Sequence, residues 1–266
     1  MSTTISSGLD PARAVLQKLG WNRSADRLAE LLEQGVREER GLCSFLELVA
    51  AAEHAGREER RTREWLARSG LPAGKTLENF DFVFARGIDR SKVQMLAACE
   101  FARRKETVLI LGPSGTGKTH LAAGLGARAI ANGFSVWFTA ADELIAMLRK
   151  DEHSTAVRTN QRRYLVSKVL IIDELGFQAL DRADAHRLFR LVNQRYERSS
   201  TIITSNKSIR EWPAMLAGDE ALAAAVLDRL LHHCHVVQAD GASYRLRHIE
   251  QQLKDKQQQP EAAGGA

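Results

Sequence analysis

Aromatic residues are scarce in this 266-residue chain, at 6%, so its core must be built from Ala, Leu, Ile and Val. No apolar run approaches the ~18 residues of a membrane-spanning helix, and no membrane partner is expected. The opening stretch Met1–Asp10 is polar and lacks the apolar segment of a secretory signal. Cysteine is scarce too. Cys43, Cys99 and Cys234 are odd in number and widely spaced, which excludes a disulfide framework and a CxxC zinc site. A reducing, cytoplasmic setting is the expectation. Neither charge sign dominates: 38 Lys and Arg stand against 33 Asp and Glu, and the net +5 permits an anionic partner without requiring one. With 44% hydrophobic and 27% charged residues, the chain can bury a core, and wholesale disorder is excluded.

The hydrophobic pattern changes once along the chain. In residues 1–75, Leu16, Leu19, Leu28, Leu31 and Leu32 recur at helical spacing, with Gly20 and Gly41 as breaks. Ser44 and Glu47 match a capping box, which predicts a helix starting there. Gly70–Gly74 reads as a linker by composition. Over residues 76–248, short runs of branched residues alternate with helical stretches: Val108–Leu111, Ser135–Thr139, Val169–Ile172, Thr201–Thr204 and Val236–Val237. Such runs predict an α/β domain whose parallel strands are buried on both faces. Residues 249–266, rich in Gln and Ala, read as a flexible tail.

The first chemical signal is Gly112-Pro113-Ser114-Gly115-Thr116-Gly117-Lys118-Thr119, which fits GxxxxGK[ST] at every fixed position. It follows an apolar strand and precedes a helix-prone segment, the context in which backbone N–H groups and a helix N-terminus converge on phosphates. Lys118 would reach the β- and γ-phosphates of ATP, and the Thr119 hydroxyl would ligate Mg²⁺. The second signal is Val169-Leu-Ile-Ile-Asp173-Glu174, an apolar strand with two carboxylates at its C-terminal end, where ligands sit in open α/β sheets. Asp173 is expected in the Mg²⁺ shell, and Glu174 is expected to polarise the attacking water. The pair favours hydrolysis over transfer to a small acceptor.

Two weaker signals depend on these. Asn206, after the strand Thr201–Thr204, is placed to orient the lytic water, although Asn also simply turns chains. Arg229, in the apolar helix Leu222–Leu231, reads either as a surface ion pair with Asp228 or as an arginine finger serving a neighbouring subunit. His232-His233-Cys234-His235 is not expected to bind metal, because adjacent side chains diverge and no second ligand cluster has suitable spacing.

Together these motifs resemble the AAA+ ATPases, and within them the IstB/DnaC family, IstB-type transposition helpers above all. The particular runs are Lys75-Thr-Leu-Glu-Asn-Phe-Asp-Phe, Leu227-Asp-Arg-Leu-Leu-His-His and Ser243-Tyr-Arg-Leu-Arg. The resemblance implies an AAA+ core with a small helical N-terminal partner-binding domain. It places Asn206 at sensor 1, Arg229 at the finger and Arg245 at sensor 2. Phe80 and Phe82 would lie near the adenine, with His120 beside the phosphate loop. The helical lid of many AAA+ proteins is expected to be missing. The implied activity is ATP hydrolysis by a ring-like or helical homo-oligomer on duplex DNA, which recruits or stimulates a transposase. A helicase loader favouring single strands is the alternative, and a small-molecule kinase a more distant one.

The stretch 144–168 bears on DNA independently. It carries Arg149, Lys150, Arg158, Arg162, Arg163 and Lys168 against Asp151 and Glu152. Lys150, Arg158, Arg162 and Arg163 are the candidate backbone contacts. Only Tyr164 is an aromatic nearby, so duplex binding without sequence readout is expected rather than base stacking.

Overall fold

The computed structural model describes residues 3–85, 87–152, 163–241 and 243–244. Its internal contacts divide the chain into Met1–Glu64 and Trp65–Ala266.

The first unit is helical: α1 (Thr3–Lys18), α2 (Asn22–Asp26), α3 (Leu28–Arg37) and α4 (Leu42–Arg68), the last running past the boundary. The leucine spacing buries Leu28 and Leu31, while Leu19 is left exposed beyond the end of α1. Gly35 lets α3 approach α4 closely, since a Cβ there would lie 2.9 Å from the Phe45 ring. The expected capping box does not form. Helix α4 starts at Leu42, so Ser44 lies inside its first turn and accepts a bond from Arg40 Nη1 at 3.2 Å.

A polar clamp joins α2 to α4. Ser24 Oγ donates to Val49 O at 2.7 Å, and the Ser24 N–H donates to Glu53 Oε2 at 3.1 Å. Burial pushes the Glu53 carboxyl up, but the bonds from Ser24 and Arg57 outweigh it and hold the group below its ordinary value. A depressed folded-state pKa supplies stability above the unfolded value and loses it as pH falls. Glu53→Gln is therefore expected to cost about 1–3 kcal/mol at neutral pH. In urea titrations, the gap between variant and parent should close as pH falls from about 5 through the carboxylate range.

The second unit is a parallel sheet with helices on both faces. Its strands are β1 (Thr107–Leu111), β2 (Val136–Ala140), β3 (Val169–Asp173), β4 (Ser200–Ser205) and β5 (Cys234–Gln238), in spatial order β2-β3-β4-β1-β5 among the described residues. All five expected strands are present; β2 is shifted by one residue from its expected span, and the other four are longer than expected by one to three residues. Alternation splits the core. Val108, Ile110, Val169 and Ile171 pack on one face with α5 (Arg90–Ala97), α6 (Glu100–Arg104) and α7 (Lys118–Ala131). Leu109, Leu111, Leu170 and Ile172 pack on the other. That face is covered by α8 (Ala141–Glu152), α9 (Arg163–Val166), α10 (Arg182–Arg195), α11 (Trp212–Met215) and α12 (Glu220–Leu231). A sheet covered on both sides explains why these strands read as continuous apolar runs.

The Gly70–Gly74 segment is not a free linker. Ser69 O accepts from Phe138 N at 2.7 Å on edge strand β2, and Leu71 packs against the core. Among the described residues, no helix is long and apolar enough to cross a membrane. The tail expected over 249–266 lies outside the described residues.

Candidate active site

Strand β1 ends at Leu111 and the chain turns into Gly112–Gly117 before α7 begins at Lys118. The turn needs glycine at two places for distinct reasons. A side chain at Gly112 would run into the Ala239 carbonyl beyond β5. Gly117 caps α7 at φ +91°, and a Cβ there would lie 2.8 Å from the Phe80 ring. The loop thus closes over the N-terminus of a 14-residue helix, where free N–H groups and the helix dipole favour an anion. Lys118 is buried and donates from Nζ to Pro113 O at 2.7 Å. The Thr116 hydroxyl donates to the same carbonyl at 2.9 Å.

Strand order brings the two motifs together, since β4 lies between β1 and β3. Thr119 Oγ1 donates to Asp173 Oδ1 at 3.1 Å, joining the start of α7 to the end of β3. A hydroxyl and a carboxylate in contact beside a phosphate cradle form an oxygen donor set that suits Mg²⁺. Glu174 follows at φ +58°, a left-handed conformation rare for a non-glycine residue and common at functional sites. Its N–H donates to Thr204 Oγ1 at 2.9 Å.

A cavity of about 450 Å³ runs over the loop and carries Glu174 and Asn206 on its wall. Asn79, Phe80, Phe84 and Tyr244 also line it. The sequence expectations thus converge for Ser114–His120, Glu174, Asn206 and Phe80. Gly112 and Pro113 shape the loop from behind, through a Gly112 N–H bond to Ser205 O at 3.2 Å and through the Pro113 carbonyl. His120 Nε2 lies 2.8 Å from both Thr76 O and Asn79 Oδ1. Phe82 departs from expectation. It does not line the cavity but packs edge-on against Phe80 at 4.8 Å, with the Arg90 guanidinium over its ring. Phe84 lines the cavity in its place, edge-on to Tyr244 at 5.3 Å. Arg245 lies outside the described residues, but Tyr244, just before it, donates its N–H to Gly115 O at 2.9 Å.

Sequence reasoning passed over Phe84, Tyr244 and Thr204. The Phe80-Phe82-Phe84 repeat and the run Thr204-Ser-Asn206 were the available signals.

Arg229 sits elsewhere. It shares a small depression with Thr107 and Thr201 at the opening ends of β1 and β4, opposite the phosphate loop. Its guanidinium donates to Asn193 Oδ1 at 2.7 Å and Ala225 O at 3.0 Å and stacks 5.0 Å from the Phe189 ring. No ion pair with Asp228 forms among the described residues. Nearby, the expected divergence of His232 and His233 does not hold. Their rings lie 4.1 Å apart, and Glu197 brings a carboxylate so that one ligand atom from each falls within 4.8 Å of the others, all exposed. Cys234 enters β5, and His235 lies 2.7 Å from Glu106.

In the basic stretch, two of the counted charges, Arg149 and Glu152, are paired with side chains of α10. Arg149 is bonded through two nitrogens to buried Asp184, one of them at 2.8 Å. Glu152 pairs with Arg187 and Arg190, both at 2.7 Å. The Arg149 bond holds Asp184 below its ordinary pKa although burial pushes the other way. Lys150 is exposed, and Arg163 Nη1 donates to Arg68 O at 3.4 Å. Arg158 and Arg162 lie outside the described residues. Tyr164 is buried and donates its hydroxyl to Asp151, so it offers no stacking platform.

Comparison with known proteins agrees with this geometry. A family model described as IstB-like ATP binding protein matches residues 14–252. The ATP-binding protein of insertion sequence IS21 from Pseudomonas aeruginosa is 42% identical over 233 residues, 88% of either chain. That of IS5376 from Geobacillus stearothermophilus is 38% identical over 234 residues, 88% of this chain and 92% of the relative. Among solved structures, the replication initiator DnaA bound to AMPPCP and single-stranded DNA aligns with a TM-score of 0.52 at 22% identity. The alignment covers 73% of this chain and 58% of that one. It bears on fold alone: the expected parallel sheet flanked by helices, with a helical N-terminal region.

Proposed function

Because this chain belongs to the IstB-like ATP-binding protein family, we propose that it is an ATP-hydrolysing helper of transposition. Bound to ATP, it assembles on duplex DNA and recruits or stimulates its partner transposase, and hydrolysis then releases the assembly. The observation that carries the reading is one cavity holding the phosphate loop, Glu174 and Asn206, with Thr119 and Asp173 bonded at its base.

Each residue has a task that its position supports. The loop N–H groups of Ser114–Thr119 and the Lys118 ammonium hold the phosphates; Lys118 leaves Pro113 O for them. Thr119 and Asp173 hold Mg²⁺, which when bound neutralises charge on the phosphates. Glu174 draws a proton from water while Asn206 fixes that water's direction. Phe80 and Phe84 flank the base. Arg229 serves the neighbouring copy's site, and Arg245 its own. Residues 1–75 are the partner- and oligomer-binding part. Lys150 and Arg163, with Arg158 and Arg162, meet the DNA backbone.

DNA binding measured at moderate salt, with ATP, ADP or no nucleotide, tests the reading. Cooperative binding to duplex of arbitrary sequence only with ATP is expected, with affinity falling steeply as salt rises. A clear preference for single strands would favour a helicase loader. Hydrolysis indifferent to DNA, with no binding to either form, would overturn both.

A further inference from the structure

The strand between the two nucleotide motifs carries a hydroxyl that neither motif includes. Thr204 is wholly buried near the end of β4. Its Oγ1 lies 2.5 Å from Asp173 Oδ1 and 2.9 Å from the Glu174 nitrogen. The roles follow from valence. A hydroxyl has one proton to give, an ionised carboxylate can only accept, and a backbone N–H can only donate. Thr204 therefore donates to Asp173 and accepts from Glu174. Its own carbonyl accepts from Leu175 N at 2.9 Å, and Ser205 Oγ donates to Leu175 O at 2.5 Å. The turn from Asp173 to Leu175, which contains Glu174 at φ +58°, is thus pinned to the end of β4.

Asp173 Oδ1 is shared. It accepts from Thr204 and also from Thr119, the hydroxyl at the cation end of the phosphate loop. Any change in what Asp173 Oδ1 must accept reaches Thr204, and through that one hydroxyl it reaches the Glu174 backbone.

We infer that Thr204 is a positioning residue: its hydroxyl links the carboxylate at the cation end of the nucleotide site to the backbone that aims Glu174. This rests on the hydrolytic reading above. Thr204 touches no substrate; it sets where Glu174 points when the cation end of the site is filled. Outer-shell hydrogen bonds of this kind change activity or metal affinity by about 10- to 100-fold when removed.

Two substitutions in the full chain separate hydroxyl from bulk. Thr204→Val keeps the shape and removes both bonds, whereas Thr204→Ser keeps the hydroxyl and loses a methyl. Steady-state hydrolysis and the Mg²⁺ dependence of binding a fluorescent ATP analogue are the readouts. Thr204→Val should lower kcat by about tenfold or more and raise the Mg²⁺ midpoint, with KM for ATP within about threefold of the parent. Thr204→Ser should stay near the parent in both. Parent-like behaviour of Thr204→Val overturns the inference. So does equal impairment of both variants, which would mark a packing role. If the parent itself fails to hydrolyse ATP, the functional reading falls, and the Mg²⁺ titration of the two variants still decides the link between Thr204 and the cation end.

Discussion

Glu174→Gln is expected to bind ATP like the parent and hydrolyse it at least about a hundredfold more slowly, the usual cost of losing a general base. The geometry makes the substitution clean. Glutamine has the same length, and at φ +58° it bears the same backbone cost as glutamate. The bond from the residue-174 nitrogen to Thr204 Oγ1 uses only the backbone and survives. The Thr119–Asp173 contact is untouched. What is lost is an acceptor for the water proton at the cavity wall. Single-turnover hydrolysis and equilibrium nucleotide binding separate the two effects. Under the proposed cycle, ATP-bound Glu174→Gln should also stay on duplex DNA after the parent has released it, seen as slower dissociation when competitor DNA is added. Hydrolysis at the parent's rate would mean that another group activates the water.

How far the sequence carries this picture depends on the range of the interaction concerned. Strands and phosphate loop are legible because their causes are local. Four branched residues in a row, such as Val169–Ile172, suit a sheet covered on both faces, and the glycines answer steric demands within one turn. Long-range pairing is not written locally. Arg149 counts as a free positive charge until α10 folds Asp184 against it from 35 positions away. The Gly70–Gly74 stretch has linker composition, yet Leu71 finds a place in the core and Ser69 a partner on β2. Ser44 and Glu47 match a capping box, but α4 begins two residues before Ser44. Thr204 shows the same limit inside the site. Its importance comes from β4 lying between β1 and β3, an order that no local pattern states.

Arg229→Ala carries the second large effect, and its position explains why. An arginine that neutralises charge on a transferring phosphoryl group contributes about 10³- to 10⁵-fold to the rate. Arg229 does not line its own nucleotide cavity; it lies by the opening ends of β1 and β4, held by two neutral oxygens. To act on a phosphate it must reach another copy's cavity, which is how a head-to-tail assembly joins unlike faces. Arg229→Ala should therefore bind ATP normally and lose about a thousandfold in hydrolysis. Mixing decides whether the site is shared. Glu174→Gln and Arg229→Ala are each expected to be nearly inactive alone. In an equimolar mixture, about a quarter of interfaces would join an intact Glu174 to an intact Arg229 from the next copy. Activity should rise to that order when the two are combined. A mixture as inactive as its components would place Arg229 outside any shared site, and full activity of Arg229→Ala alone would remove it from the reaction.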